Sequence, residues 1–286
     1  MILFGPSGNS KRFYDEGHDS TVDAPKWCAD MGLTAYEYSF GRGINISDEK
    51  ANSIGLLGNQ FGVKVSVHAP YYINFANPDD EMAEKSFGYL FRSAQKAQMF
   101  FGDRVIFHTA SVGKLTRQDA FALTKKRMEI FVERLKNTHY TDVWFCPETM
   151  GKINQIGDYE EVAELVAMAD CLLPTVDFGH QNARTLGGLK TEEDYDRIIT
   201  HLINKVGYER TKKMHVHFSK IEYSQGGEVK HLTFDDTLYG PEFLPLAKVI
   251  VKHKLEPVII CESDGTQADD ALAMKHIYEQ VLAESN

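Results

Sequence analysis

The chain is poor in cysteine: Cys28, Cys146, Cys171 and Cys261 are the only four in 286 residues, and no two form a Cys-x-x-Cys pair. That argues against a thiolate zinc site or a disulfide framework and fits a reducing cytoplasm. Long apolar runs are missing as well. No stretch approaches the roughly 18 apolar residues needed to cross a bilayer, and the opening MILFGPSGNSKR lacks the apolar core of a secretory signal. The expectation is a cytoplasmic protein with no membrane partner. Positive charge is in deficit, with 31 Lys and Arg against 41 Asp and Glu, a formal net charge of −10. This weighs against non-specific coating of nucleic acid, which runs on Lys and Arg neutralising phosphates. It leaves room for a basic rim around an acidic pocket filled by cations. No linker, low-complexity tract or composition shift marks a second domain, so residues 1–286 are expected to form one.

What is present is a repeating pattern. Short β-branched or aromatic runs occur at 2–5 (ILFG), 35–40 (AYEYSF), 64–69 (KVSVHA), 104–109 (RVIFHT), 142–148 (DVWFCPE), 173–178 (LPTVDF), 214–219 (MHVHFS) and 257–263 (PVIICES). Their starts lie 29 to 43 residues apart, an interval that holds a strand, a loop, a helix and a return loop. Apolar residues recur at helical spacing through 80–100, 117–137, 158–170 and 271–284. Eight strands alternating with helices predict a closed (β/α)8 TIM barrel, with an open doubly wound sheet as the alternative.

Residues able to hold a metal fall at one place in each unit. His68 and His108 end the third and fourth strands, Glu148 the fifth, and Asp177 the sixth, with His180 three residues on. His215 and His217 lie in the seventh strand, His231 in the loop after it, and Glu262 ends the eighth. The C-terminal strand ends of such a barrel meet at one rim, so these residues are expected to face one another across a single pocket. A lone buried histidine is ordinarily a hydrogen-bonded core group, and a carboxylate ending a strand is often a helix cap. Six consecutive strands ending in His, His, Glu, Asp, His and Glu are hard to explain that way. Clustered carboxylates repel one another unless cations sit between them. Mixed imidazole and carboxylate donors suit Zn²⁺, Mn²⁺ or Fe²⁺ better than Mg²⁺ or Ca²⁺. The remaining histidines (His18, His139, His201, His253 and His276) fall in predicted helices or loops, and Cys261 is expected to point away from Glu262 into the core.

Several motifs together resemble the endonuclease IV family, the metal-dependent apurinic/apyrimidinic endonucleases on a xylose-isomerase-like barrel. They are VHAPYYINFAN (67–77), the His of VIFHTA, PETMGK (147–152), VDFGH (176–180), HVHFSK (215–220), the KH of EVKH (228–231) and ICES (260–263). The resemblance implies hydrolysis of the phosphodiester 5′ to an abasic site in damaged duplex DNA by a monomer carrying two or three zinc ions. By motif, it assigns His68, His108 and Glu148 to one metal, and Glu148, Asp177, His215 and Glu262 to a second. Glu148 would be the central catalytic carboxylate, bridging the two. His180 and His231 would hold a third.

Two departures carry their own expectations. Where the family has an Asp two residues before the last His, this chain has Val229; the neighbouring Glu228 could substitute through a shifted loop, although a one-residue offset otherwise turns a side chain well away. The family's strand-seven His is followed by Leu-Asn-Asp, whereas here Val-His-Phe follows, so His217 is an additional imidazole, expected to act as a ligand or to touch substrate. Tyr71 and Tyr72 are expected to stack on a base or sugar, and Arg42, in GRG after the second strand, to lie where the family sends a loop toward DNA. Lys114, Lys152, Arg184 and Lys220 follow strand ends and could form a basic rim for phosphates. The alternative is a sugar isomerase or epimerase on the same barrel, with Glu148 and Glu262 as acid and base.

Overall fold

The computed structural model describes residues 1–285. All eight expected strands are present: β1 Leu3–Pro6, β2 Ala35–Ser39, β3 Lys64–His68, β4 Arg104–Phe107, β5 Trp144–Pro147, β6 Thr175–Asp177, β7 His215–Phe218 and β8 Val258–Cys261. Every pairing among them is parallel. Two four-stranded arcs form, β2-β3-β4-β5 and β1-β8-β7-β6. Single bridges close them into a ring: Ser7 with Glu37 joins β1 to β2, and Glu148 with Thr175 joins β5 to β6. The barrel is therefore closed rather than doubly wound.

Side chains alternate between the two faces of each strand. Val65, Val67, Val105, Phe107, Phe145, Val176, Val216, Phe218, Ile259 and Cys261 face outward, into the main core beneath the surrounding helices. Cys261 is thus core, as expected. The other parity points inward. Leu3, Ala35, Val258 and Ile260 pack as one apolar cluster, and Ile106, Cys146 and Leu173 with Trp144 as another, so the lower part of the interior is filled. Above them the inward positions become polar: Glu37, Ser66, Thr175, His215 and His217 are all buried.

The predicted helices appear as Asp80–Met99, Arg117–Leu135, Tyr159–Val166 and Gln267–Glu284. Others went unread, among them Asp48–Phe61, Glu192–Val206 and Phe243–Lys252. After β7 the chain also forms an antiparallel hairpin, Ile221–Ser224 with Gly227–His231. No helix among the described residues is long and apolar enough to cross a membrane.

Candidate metal centre

At the C-terminal mouth of the barrel, the strand ends and the hairpin after β7 form three donor groups, two of which share Glu148, and a fourth, Glu37 with His215 and His217, lies deeper. His68, His108 and Glu148 make one, Glu148, Asp177, His217 and Glu262 a second, and His180, Glu228 and His231 a third, each with donor atoms mutually within 4.8 Å. Glu148 is the hub. Its Oε2 lies 3.0 Å from His68 Nε2 and 3.3 Å from His108 Nε2. Its Oε1 lies 3.0 Å from His217 Nδ1 and 3.4 Å from His180 Nδ1. The groups edge a cavity of about 390 Å³ lined by His68, Tyr71, His108, Lys152, His180, Glu228, His231 and Glu262, among others.

One expectation is corrected and one open alternative is decided. The correction concerns strand seven. His215 and His217 do share a face, but they sit at different heights. His217 reaches the carboxylates at the mouth, with Nδ1 3.6 Å from Glu262 Oε2. His215 lies one layer deeper, where its nearest carboxylate is Glu37 at 3.1 Å, outside hydrogen-bonding geometry. The structure thus groups His217, not His215, with Glu148, Asp177 and Glu262. The alternative concerns Glu228, and it falls to the shifted strand. The hairpin carries a bulge: Lys230 pairs with Glu222 and Glu228 with Tyr223, leaving Val229 as the extra residue. A bulge shifts the alternation by one position, so Glu228 and His231 face the same way and Val229 is 48% exposed. Glu228 Oε2 then lies 3.4 Å from His180 Nε2. Gly151 makes room for this contact, since a Cβ there would stand 2.6 Å from Glu228 Cβ and 3.0 Å from His180 Cδ2.

Asp177 serves two ends. Its Oδ1 accepts the His180 backbone N–H at 2.7 Å, capping the short helix Phe178–Arg184, while Oδ2 is buried without a hydrogen-bond partner. Burial, opposed by His180 but reinforced by Glu262 and Glu148, pushes its carboxyl up to about 6. Burial acts the same way on Glu148 and Glu262. There the neighbouring imidazoles, His217 foremost, more than reverse it and hold both carboxyls below the usual range. Burial lowers His217 and His180, and the surrounding carboxylates overcome it, so both sit well above the ordinary histidine value. His215 is pushed down to about 4 by burial.

The donor chemistry fits metal. Most of the mouth histidines have one ring nitrogen tied back: His68 Nδ1 to the Ala69 carbonyl at 2.8 Å, His180 Nδ1 to the Thr149 carbonyl at 2.9 Å, and His231 Nδ1 to Ser219 Oγ at 2.8 Å. At His68 and His180, whose carbonyl partners can only accept, donation through Nδ1–H leaves Nε2 as the lone-pair donor, the way ligating histidines are usually oriented. With the orphaned Asp177 Oδ2, this is what a site for divalent cations requires.

Among the expected substrate contacts, Tyr71 stacks on His108 with ring centroids 5.2 Å apart, and its backbone N–H donates to Gly41 in the GRG loop. That bond brings exposed Arg42 and exposed Tyr72 to the same rim. Two of the four basic residues are otherwise engaged. Lys220 is buried, donating to the Asp236 carbonyl and pairing with Glu242, and Arg184 donates to the carbonyls of Met150, Lys152 and Gln155. Lys114 and Lys152 are exposed. The sequence reading missed Glu37 altogether; a lone charge between Tyr36 and Tyr38 in an otherwise apolar strand was the one signal for it.

Residues 25–280 match the family model described as xylose isomerase-like TIM barrel. An uncharacterized protein of Methanocaldococcus jannaschii is 28% identical over 275 residues, 96% of each chain. A probable endonuclease 4 of Staphylococcus epidermidis is 30% identical over 165 residues, 54% of this chain and 52% of that one. Among solved structures, endonuclease IV from Thermus thermophilus superposes with a TM-score of 0.68 at 20% identity, covering 99% of both chains. A D-tagatose 3-epimerase-like protein superposes with a TM-score of 0.75 at 18% identity, again over 99% of both. At these identities the superpositions speak to the fold.

Proposed function

The chain belongs to the xylose isomerase-like TIM barrel family, and from that premise we propose that it is a metal-dependent phosphodiesterase of the endonuclease IV type, cutting DNA 5′ to abasic sites. The observation that carries the reading is the third donor group, His180, Glu228 and His231, standing beside the two groups that share Glu148. An isomerase polarising one carbonyl uses one or two cations; a phosphodiester carries more charge to neutralise, on its non-bridging oxygens and on the oxygen that leaves.

In this reading His68, His108 and Glu148 hold one ion, Glu148, Asp177, His217 and Glu262 a second, and His180, Glu228 and His231 a third. The mixed nitrogen and oxygen donors favour zinc, with manganese or iron(II) as substitutes. When bound, such cations supply Lewis acidity, lowering the pKa of water to about 7 and neutralising phosphate charge. The protein's part is to orient. Glu148 spans two groups, the tied-back histidines fix the donor directions, and Tyr71 and Tyr72 offer ring faces to a base or sugar while Arg42 and Lys152 offer charge to the backbone. Water adds to phosphorus and the bond to the 3′-oxygen breaks, leaving a 3′-hydroxyl and a 5′-phosphate on the abasic side.

The test is a nicking assay on duplex DNA with one stable abasic analogue, comparing metal-replete and chelated protein. A single chelator-sensitive cut 5′ to the lesion is expected, and Glu148→Gln should reduce it by about a thousandfold while circular dichroism stays native. Undiminished nicking by that variant would remove Glu148 from the chemistry. One observation favours a second reading: a cavity of about 390 Å³ also suits a monosaccharide. Folded, metal-loaded protein that leaves the lesion uncut would point to a sugar isomerase or epimerase, with Glu148 and Glu262 as acid and base.

A further inference from the structure

Glu37 lies on β2, fully buried, one layer below the candidate metal centre. A buried carboxylate is costly to desolvate and persists only when its oxygens are occupied. Here Ser66 Oγ donates to Oε2 at 2.9 Å, and Oε1 stands 2.9 Å from His217 Nε2 across the barrel. Strand pairing sets its height: Glu37 is in register with Ser66 on β3 and bridges Ser7 beyond β1.

This makes His217 the exception at the mouth. His68, His180 and His231 are tied back through Nδ1, by backbone carbonyls or a hydroxyl, so that Nε2 faces the pocket. His217 is reversed: Nε2 faces Glu37, and Nδ1 faces Glu148 and Glu262. Its tie is made by a carboxylate, which would hold the Nε2 proton once Nδ1 binds metal and would make the imidazole a stronger donor.

We propose that Glu37 is a positioning residue for the metal centre: it accepts the His217 Nε2–H and so aims Nδ1 at the ion shared with Glu148, Asp177 and Glu262. The proposal rests on the reading of that group as a metal centre, but not on DNA as the substrate. His215, 3.1 Å from Glu37 Oε2 outside hydrogen-bonding geometry and with Nδ1 unpartnered, takes no part in the relay.

The test uses zinc-loaded full-length protein. In ¹⁵N-edited spectra, with the ring assigned by its loss in His217→Gln, His217 should be protonated at Nε2 and shifted by metal at Nδ1. This readout needs no change at Glu37. Metal affinity, by competition with a chromophoric chelator, should fall about 10–100-fold for one ion in Glu37→Ala. Glu37→Gln, which keeps an oxygen acceptor at the same place, should recover part of that loss and retain the Nε2–H signal. Three results would overturn the proposal: Nδ1–H with zinc on Nε2; unchanged affinity in a folded Glu37→Ala; or loss of a whole ion in His215→Gln, which would make Glu37, His215 and His217 an ion site in their own right. Protein that gives the expected spectra and affinities but never nicks abasic DNA would uphold Glu37 and remove the endonuclease reading alone.

Discussion

Val229 shows how one residue can mislead about its neighbours. It stands where a ligating Asp would be expected, yet it is the bulged residue of its strand, half out in solvent. Glu228 takes the inward place instead. Glu228→Ala, like His231→Ala, should therefore lose one ion and keep the others, as read by elemental analysis of dialysed protein. Adding Val229→Asp to Glu228→Ala should not bring that ion back, because the new carboxylate would project away from His180. Recovery of the ion would mean that the hairpin pairs without its bulge in solution. The same scale governs His215 and His217. Their shared face follows from a spacing of two, but their heights do not, and two residues of rise, about 6.6 Å, separate a group at the mouth from one in the barrel's interior.

At the scale of elements, the site depends on β1 and β2 approaching closely enough to close the ring. Gly5 permits it: a Cβ there would fall 1.8 Å from the Ala35 carbonyl oxygen, which is backbone and cannot swing aside. Gly5→Ala should destabilise the fold by about 3 kcal/mol, seen as a lower urea midpoint with little change in slope. A midpoint within error of the parent would mean that β1 can slide without loss. Because β1 also bridges Glu37 through Ser7, the element that closes the barrel also helps fix the carboxylate beneath His217. The eight strands were legible because each announces itself by a local run of β-branched or aromatic residues. The hairpin after β7 was not, since Ile221–Ser224 and Gly227–His231 carry mixed charge and pair outside the barrel, with each other and through Gly227 with Lys152.

Across the whole molecule, acidic charge gathers at the mouth while an ion-pair cluster sits where the strands begin. Asp103 lies 3.0 Å from Arg104 Nε and 3.2 Å from Lys64 Nζ. Burial alone would raise its carboxyl, but the two cations outweigh that and hold it below its ordinary value. A carboxylate whose folded pKa is depressed stabilises the fold above the unfolded pKa, near 4, and loses that contribution as pH falls through the lower folded value. Asp103→Asn should accordingly melt about 2 °C lower than the parent at pH 7, with the gap narrowing from about pH 4 downward. A gap that stays constant down to pH 2 would assign the loss to packing rather than charge.

The sequence by itself determined the barrel and which metal-capable residues stand at the ends of its strands. Strand parity and strand–helix spacing are local properties, and His68, His108, Glu148, Asp177 and Glu262 could be read at strand ends without knowing what they meet. The tertiary structure alone decided which of two inward histidines joins them, that Glu228 rather than position 229 faces His180, and that Glu37 stands under His217. Each of these depends on stagger between strands far apart in the chain, or on a bulge set by the partner strand. Hydrogen bonding between strands sets those heights, and no periodicity within one segment encodes it.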